Sequence, residues 1–314
     1  MHGQFVWYEL TTPDPDASKR FYQPLVGWST QPFDNDYSMW TSGGQPIGGI
    51  FRLGPEQQAQ GIPPNWMPYV EVSNVDESAS RASAAGGTVV VPPTEIPNTG
   101  RFAVLQDPQG ATFGIYKSSS KSDPWDGTNR LGRFSWHELM TTDHKAAFEF
   151  YRKLFGWEKT SDFDLGPENG IYQMYGLKGK QYGGMFNRPR EMAQVPPFWL
   201  PYIHVKDVKA ATEAAKQSGA QVVNGPMEVP DGTWIVVLKD PTGAAIALHS
   251  GTPKTAKPLK KKADKKAVKK ADKKAVKRAN KKTNKKADKK AAKKAKKAAR
   301  KAKKKDKKKK KSRR

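Results

Sequence analysis

The chain opens with segments whose polar and apolar positions repeat at short, regular intervals. FVWYEL, residues 5–10, alternates as a half-buried β-strand does. The next segment, PDASKRFYQPLVG, starts with aspartates that can cap a helix and ends at Gly27, which predicts a short helix. Strand-like pieces follow, then the Ala-rich helix VDESASRASAAGG, then the strand candidates VVVPP, FAVLQD and TFGIYKS. The pattern predicts two β-α-β-β-β units in succession.

This whole pattern is written twice. Residues 5–28 match residues 134–157, PPNWMPYVEV matches PPFWLPYIHV, and LQDPQGATFGIY matches LKDPTGAAIALH, all in the same order. Repetition over this length indicates two homologous domains. We expect an α+β fold with two tandem domains of paired βαβββ modules. The predicted boundaries are 3–119 and 131–251 for the domains, 120–130 for a linker and 252–314 for a separate tail.

Charge is segregated along the chain. Residues 254–314 hold 35 of the 56 basic and 4 of the 30 acidic residues, a net charge of +31, which leaves −5 for residues 1–253. Lys pairs recur about every four residues, so a helix here would be basic on nearly its whole surface and would have no apolar face to bury. We expect this tail to be disordered when free. Its composition resembles the Ala/Lys-rich tails of linker histones and bacterial histone-like proteins.

The predicted partner of the tail is DNA or RNA. Each Lys that meets a phosphate releases a counterion, so binding should be sequence-nonspecific and steeply dependent on salt. A merely solvating tail, or one attracted to anionic membranes, is the alternative.

The absence of cysteine excludes disulfides and thiolate chemistry. The first residues, MHGQFVWYEL, lack the basic and long apolar regions of a secretory signal, and no window approaches the ~18 apolar residues of a membrane span. We therefore expect a cytoplasmic protein without a membrane span, which the tail would allow to associate with the nucleoid. A monomer is compatible with the pattern because both domains lie in one chain.

Several motifs resemble one known superfamily. The start ELTTPD with FYQPLVGW, the helix VDESASRASAAGG and the hairpin LQDPQGATFGIY are similar to the vicinal oxygen chelate superfamily, which includes glyoxalase I, extradiol dioxygenases and bleomycin-resistance proteins. The resemblance covers nearly all of residues 3–251, in both copies. It implies paired βαβββ modules that curl into a cup-shaped sheet, but a fold does not fix the chemistry.

In the metal enzymes of that superfamily, ligands lie early in the first strand, at the start of the fifth strand and on the last strand. The resemblance places these positions at Trp7, Met67 and Gly114 in the first copy, and at Trp136, Leu200 and Ala247 in the second. None of these side chains offers the carboxylate oxygen or imidazole nitrogen that a divalent cation needs. We therefore expect no metal cofactor. Each tryptophan either fills its cup as core or provides a stacking surface for a ligand.

Strand alternation predicts which polar groups share the cups. Positions 5, 7 and 9 should face one way, as should 134, 136 and 138, which places Glu9 and Glu138 beside their tryptophans. The predicted ligand-binding set is Trp7, Glu9, Tyr69, Glu71, Tyr116, Trp136, Tyr202 and His249. Glu138 and His204 are candidate acid–base groups, because a partly desolvated carboxyl beside an indole has a raised pKa. Glu138, His204 and His249 are also a candidate displaced metal triad, whereas His137 should face the other side.

Three functions are compatible with this pattern. The first is a protein that binds a small aromatic or hydrophobic molecule without the usual metal site and is tethered to nucleic acid by its tail. The second is an enzyme of the glyoxalase/dioxygenase superfamily, a lyase or oxygenase, that uses Glu138 and His204 or an atypical metal site. The third is a nucleic-acid-associated protein whose body docks a partner. We favour the first.

Overall fold

The computed structural model of the chain describes residues 2–34, 36–120 and 130–251. Both repeats belong to one compact unit. The predicted basic tail and most of the predicted linker lie outside the described residues. Within the described part of the chain, no helix is long and apolar enough to cross a membrane.

The first repeat forms one eight-stranded sheet. Its elements in chain order are β1 (Phe5–Thr12), α1 (Pro15–Val26), β2 (Ser29–Asp34), β3 (Tyr37–Ser42), β4 (Gln45–Arg52), α2 (Pro55–Ala59), β5 (Asn65–Glu71), α3 (Val75–Ala84), β6 (Thr88–Ile96), β7 (Gly100–Gln106) and β8 (Thr112–Ser118). The strands are hydrogen-bonded in the order β2-β3-β4-β1-β5-β8-β7-β6. The two βαβββ units therefore meet at the antiparallel pair of β1 and β5.

The second repeat has the same architecture. Its elements are β9 (Phe134–Thr141), α4 (His144–Phe155), β10 (Glu158–Asp164), β11 (Ile171–Leu177), β12 (Lys180–Asn187), a 3₁₀ turn (Arg190–Met192), β13 (Phe198–His204), α5 (Val208–Gln217), β14 (Gln221–Glu228), β15 (Trp234–Lys239) and β16 (Ala245–Ser250). The strand order is β10-β11-β12-β9-β13-β16-β15-β14. The α+β class and the paired βαβββ modules are thus confirmed.

The first helix of each repeat begins and ends at capping residues, as the sequence predicts. The Asp14 side chain accepts hydrogen bonds from the backbone N–H groups of Asp16 and Ala17, each at 3.1 Å. Gly27 then closes α1 in the left-handed conformation, with φ 72°, which glycine adopts without steric cost. Asp143 and Gly156 cap α4 in the same way.

A reciprocal pair of Tyr–Asp hydrogen bonds locks the two repeats together. The Tyr22 hydroxyl of α1 donates to Asp240 Oδ2 at 3.0 Å, and the Tyr151 hydroxyl of α4 donates to Asp107 Oδ2 at 2.9 Å. The other oxygen of each aspartate accepts backbone N–H groups of its own Asp-Pro turn. The Asp-Pro motif that predicts a hairpin therefore also joins one repeat to the other.

The Gly-Trp motifs make a second reciprocal connection. The Trp28 indole N–H donates to the Gly132 carbonyl at 2.6 Å, and the Trp157 indole N–H donates to the Gly3 carbonyl at 2.7 Å. Each tryptophan thus holds the chain just before the first strand of the other repeat. The two tyrosines and two tryptophans that donate these hydrogen bonds belong to one hydrophobic core, which spans both repeats.

The outer faces of β1 and β9 pack on each other at the centre of this core. The Phe5 ring stacks on His137 at 3.7 Å between centroids, and the Tyr8 ring stacks on Phe134 at 3.8 Å. His137 Nδ1 lies 2.9 Å from the Tyr182 carbonyl oxygen and therefore donates, which leaves Nε2 to accept from the Tyr8 hydroxyl at 2.6 Å. Burial lowers the pKa of His137 to about 3, so the ring is neutral. The prediction that His137 faces away from the cup is confirmed.

The predicted facing of the first strand is wrong at one position in each repeat. A β-bulge between Phe5 and Trp7 interrupts the alternation, so Phe5 is 1% exposed in the inter-repeat core while Trp7 and Glu9 face the cup. Phe134 is displaced in the same way, beside a register shift in the pairing of β9 with β13. A bulge adds one residue to a strand and cannot be recognised from hydrophobic alternation.

The sequence pattern does not locate two elements of the first repeat. The strand β2 is exposed along most of its length, as its counterpart β10 is. Edge strands of this kind lack the apolar alternation on which the prediction rests. The helix α2 spans a single turn, too short to show a helical period.

Candidate functional site

Each sheet curls around a cup, and the first cup contains a chain of four hydrogen-bonded side chains. The Trp7 indole N–H donates to the Tyr37 hydroxyl at 3.0 Å, and that hydroxyl donates to Glu9 Oε1 at 3.0 Å. The Tyr69 hydroxyl donates to Glu9 Oε2 at 2.5 Å. We call this chain the inner network. It places one carboxyl group between two phenols, with an indole alongside.

The second cup repeats the inner network. The Trp136 indole N–H donates to the Tyr172 hydroxyl at 2.9 Å. Glu138 Oε2 then accepts from the hydroxyls of Tyr172 and Tyr202, at 2.9 and 3.1 Å. Trp136, Glu138 and Tyr172 keep partial solvent exposure, as Trp7, Glu9 and Tyr37 do, so neither network is fully enclosed in the core.

Glycines create the room for the tyrosine rings. A Cβ added to Gly49 would lie 1.9 Å from the Tyr37 hydroxyl oxygen, and one added to Gly184 would lie 2.0 Å from Tyr172 Cε1. A larger residue at either position would displace the phenol from its glutamate. Gly49 and Gly184 are therefore part of the construction of the cups.

The environment of the glutamates favours the protonated carboxyl. Burial raises the pKa of Glu138 to about 7, and the hydrogen bonds from Tyr172 and Tyr202 oppose that rise. Burial also raises the pKa of Glu9, again against the hydrogen bonds from its two tyrosines. A carboxyl group that changes protonation near neutral pH can donate a hydrogen bond or exchange a proton with a bound molecule.

The residues at the metal-ligand positions of the superfamily do not form a donor set. Register aligns Trp7 with Tyr69 and Tyr69 with Gly114, and it aligns Trp136, Tyr202 and Ala247 in the same way. Met67 and Leu200, the predicted fifth-strand positions, lie opposite the glutamates instead. The described residues contain no group of three or more His, Asp or Glu side chains that could hold a metal ion. Indoles, aliphatic groups and phenols that donate to carboxylates are poor ligands for a divalent cation.

The far end of each cup, which we call the cup end, differs between the repeats. In the second repeat the register pairs His204 with His249, and their rings stack at 4.8 Å between centroids. Ser135, at the bulge of β9, is hydrogen-bonded to His249 Nε2. Burial, together with the nearby His204, lowers the pKa of His249 to about 3. This cup end is therefore polar and carries a neutral His249.

The first cup end contains a carboxylate instead. Glu71 pairs in register with Tyr116, the positions equivalent to His204 and His249. Glu71 is buried, and its Oε1 lies 3.5 Å from Lys117 Nζ. The Tyr116 hydroxyl donates to the Thr99 carbonyl at 2.9 Å.

The structure separates the two predicted acid–base residues. Leu200 is opposite Glu138, and His204 lies four residues further along β13, which corresponds to about 13 Å at about 3.3 Å per residue. Tyr202 lies between them and is the residue that contacts Glu138. The predicted set Glu138, His204 and His249 is accordingly divided between the inner network and the cup end.

The second cup has the more apolar wall. Leu200, Tyr202 and Ala247 form a buried cluster on the cup face, separate from the main core. The partly buried side chains that pack against it are Trp136, Phe198, Ile235, Val237 and Ala245. Together with Glu138, these residues make an aromatic and aliphatic cup with one ionisable group at its centre.

Tyr37 and Tyr172 were missed in the sequence. They complete both inner networks, yet they lie on β3 and β11, strands to which the sequence pattern assigns no site residue. The signal was present in the repeat, because YSMW at 37–40 and YQMY at 172–175 align within it.

Comparison with known families agrees with this fold and its internal repeat. A family model described as "Glyoxalase/Bleomycin resistance protein/Dioxygenase superfamily" matches residues 131–248, and one described as "Glyoxalase-like domain" matches residues 7–116. The chain belongs to the glyoxalase/bleomycin resistance/dioxygenase superfamily, with one member domain in each repeat.

Two relatives match this chain over nearly their whole length. The chain is 30% identical over 255 residues to "Putative glyoxylase CFP32" of Mycobacterium bovis, a match that covers 79% of this chain and 95% of the relative. It is 28% identical over 262 residues to "Anthracycline biosynthesis protein DauV" of Streptomyces sp. strain C5, covering 78% of this chain and 92% of the relative.

Among solved structures, the Mn(II)-bound glyoxalase from Novosphingobium aromaticivorans is similar with a TM-score of 0.57 and 15% identity. That match covers 79% of this chain and 82% of the glyoxalase. At this level of identity the likeness concerns the fold alone.

Proposed function

We propose that this protein binds small aromatic or hydrophobic molecules in its two cups, without the divalent metal of the superfamily's enzymes. One observation carries the proposal. In both repeats an indole, two phenols and a carboxyl group occupy the region where the superfamily holds its metal, joined in the same hydrogen-bonded order. Such a site offers a flat apolar surface for a ring and a few fixed polar groups that orient it.

Two relatives support the class of ligand without identifying it. The relative from Streptomyces is named for the biosynthesis of anthracyclines, and the one from Mycobacterium bovis is named as a glyoxylase. The first name indicates handling of a polycyclic aromatic compound and the second indicates small-molecule chemistry. The aromatic walls of the cups in this chain favour the first.

Calorimetric titration with 2-naphthalenemethanol, a neutral aromatic probe, tests the proposal. We expect two binding events in the full chain. Trp7→Ala and Trp136→Ala should each weaken one of them about tenfold, because an aromatic stacking partner is lost together with its buried area. Trp234→Ala is the matched control. Its indole lies against the main core and under the Lys209 ammonium, away from the cup face.

Binding that survives both cup variants would contradict the proposal. Metal analysis of the same protein provides the second criterion. Stoichiometric Mn, Fe, Ni or Zn that is retained through purification would contradict the metal-free site.

An enzyme that uses Glu138 is the second candidate function. The observation that favours it is a partly exposed carboxyl group held in place by two tyrosine hydroxyls, where burial also raises the pKa of Glu138 to about 7. A general acid or base works best near that value. Tyr172 and Tyr202, not His204, would then be the groups that position the carboxyl.

Isomerisation of a thiol–2-oxoaldehyde adduct, measured with and without added divalent metal, tests this candidate. Turnover that falls at least a hundredfold in Glu138→Gln, with a pH profile that turns near 7, is expected if Glu138 acts as acid or base. Turnover that is unchanged in the variant would remove Glu138 from the mechanism.

We further propose that residues 254–314 tether the protein to nucleic acid without sequence preference. The support is the composition of the segment, 35 basic against 4 acidic residues. Binding of a random DNA duplex should weaken by more than about a hundredfold between 50 and 200 mM salt, as expected for several phosphate contacts. A chain that ends at residue 251 should lose DNA binding and should bind 2-naphthalenemethanol as the full chain does. Tighter binding to anionic vesicles than to the duplex would favour a membrane surface instead.

A further inference from the structure

Glu71 is a buried carboxylate with an unused hydrogen-bonding atom. The residue is 2% exposed, and its Oε1 lies 3.5 Å from Lys117 Nζ. Its Oε2 is buried and has no hydrogen-bond partner among the described residues. A buried carboxylate oxygen without a donor is unfavourable, and such groups are normally paired. The second repeat has no equivalent, because His204 occupies this position.

Glu71 lies on the cup side of the first sheet. It is two residues from Tyr69 on β5, so the two side chains share a face, and Tyr69 contacts Glu9 in the inner network. Its partner in register, Tyr116, is paired in turn with Phe102 on β7. The Phe102 ring contacts Tyr69 at 6.5 Å between centroids. Tyr69, Tyr116 and Phe102 are therefore neighbours of Glu71 on this part of the sheet.

We propose that the first cup selects aromatic molecules that carry a protonated amine, with the ammonium group bound at Glu71 and the ring against Trp7. This inference rests on the proposed small-molecule function and assigns a ligand class to one cup. An ammonium group supplies the donor that Oε2 lacks and a full positive charge that a hydroxyl ligand cannot supply. Aromatic faces next to the carboxylate add attraction for the cation. Lys117 is half-exposed and can turn outward when the ligand enters.

A matched pair of probes tests this inference in the full chain. At neutral pH 2-naphthylmethylamine is a cation, and 2-naphthalenemethanol has the same ring system with a neutral hydroxyl group. We expect the first cup, identified as the binding event weakened by Trp7→Ala, to bind the amine at least tenfold more tightly than the alcohol. The second cup should show no such preference.

Glu71→Gln should weaken binding of the amine to the first cup at least tenfold and binding of the alcohol less than twofold. Glu77→Gln, which removes an exposed carboxylate from α3, is the control for net charge. Equal affinity for the two probes, or equal weakening of both by Glu71→Gln, overturns the amine preference and leaves the proposed function standing. If neither probe binds at either cup, the proposed function and the inference fail together.

A second variant keeps the test decisive if Glu71→Gln does not fold. Lys117→Met removes the cation that competes for Glu71 and leaves the carboxylate in place. The amine should then bind several-fold more tightly, with the alcohol unchanged. An amine affinity that is unchanged or weaker in Lys117→Met counts against the proposal.

Discussion

The two cups have the same centre and different ends. Each contains an indole, two phenols and a carboxyl group in the same hydrogen-bonded order, and each is supported by a glycine beside a tyrosine ring. The cup ends differ completely, with Glu71 and Tyr116 in one and His204 and His249 in the other. Under the proposed function, the shared centre would serve a task common to both cups, and the different ends would set which ligand each cup accepts.

The walls of the two cups also differ in polarity, and the first cup again has the more polar residues. Where the first cup has Asn65, the second has Phe198, and where the first has Thr112, the second has Ala245. Phe198 and Ala245 join the apolar cluster of the second cup. The first cup is therefore more polar and anionic, and the second is more apolar.

Removing the tyrosine hydroxyl of either reciprocal Tyr–Asp contact should destabilise the protein by a similar amount. Tyr22→Phe leaves Asp240 Oδ2 without its donor and the Trp66 indole N–H without its acceptor, and Tyr151→Phe does the same to Asp107 and Trp199. Because two buried groups lose a partner in each case, we expect each variant to lose about 2–4 kcal/mol of unfolding free energy. Denaturant titration measures it.

Clearly unequal losses of unfolding free energy in Tyr22→Phe and Tyr151→Phe would show that the two Tyr–Asp contacts do not contribute equally to stability. The double variant Tyr22→Phe with Asp240→Asn should lose less than the sum of the single variants, since both remove the same contact.

The glutamates at the centres of the two cups should make the stability of the protein depend on pH in the same direction. The pKa of Glu138 in the folded protein, about 7, exceeds the ordinary value of 4.5, so the folded state holds a proton that the unfolded state releases between these values. This stabilisation is complete below pH 4.5 and is lost as the pH rises through 7. Relative to Glu138→Gln, the wild-type chain should lose about 2–3 kcal/mol of stability from pH 4.5 to 8, at 1.36 kcal/mol per pH unit.

Glu9→Gln should show the same trend, because burial also raises the pKa of Glu9. Glu149→Gln is the control of opposite sign, since the hydrogen bond with Arg152 lowers the pKa of Glu149. Unfolding midpoints at several pH values measure all three. A flat difference between wild type and Glu138→Gln would mean that the carboxyl is solvated in the folded state.

The smallest expected effect separates the two cups most sharply. A Cβ at Gly114 would lie 2.1 Å from Tyr69 Cδ1, whereas the equivalent Ala247 already lies beside Tyr202. Gly114→Ala should therefore cost about 1–2 kcal/mol through overpacking, and Ala247→Gly about 1 kcal/mol through added backbone freedom. Thermal unfolding measures both, and a neutral Gly114→Ala would show that Tyr69 can move away from its glycine.

Sequence patterns predicted the architecture well because it depends on repeated local signals. The caps Asp14 and Gly27, the Asp-Pro turns and the duplicated motifs each specify an element within a few residues. The facing of Phe5 and Phe134 was not predictable, because a bulge changes the alternation without changing the composition.

The site was predicted in part. The family resemblance pointed to Trp7 and Trp136, and strand alternation pointed to Glu9, Tyr69 and their counterparts in the second repeat. The structure brings these residues together in each cup. The separation of Glu138 from His204 follows from strand register, which is fixed by the partner strand and not by the sequence of β13 alone. The metal-free character of the cups remains a prediction that metal analysis can test.

The reciprocal Tyr–Asp contacts have a consequence for how such a protein can change over time. A molecule built from two identical chains of one repeat would receive every substitution twice, once in each cavity. Here one continuous polypeptide supplies both partners of the contact, so a substitution such as histidine for glutamate alters a single cavity and leaves its twin untouched. Covalent fusion thereby frees the two halves from symmetry while each continues to support the other.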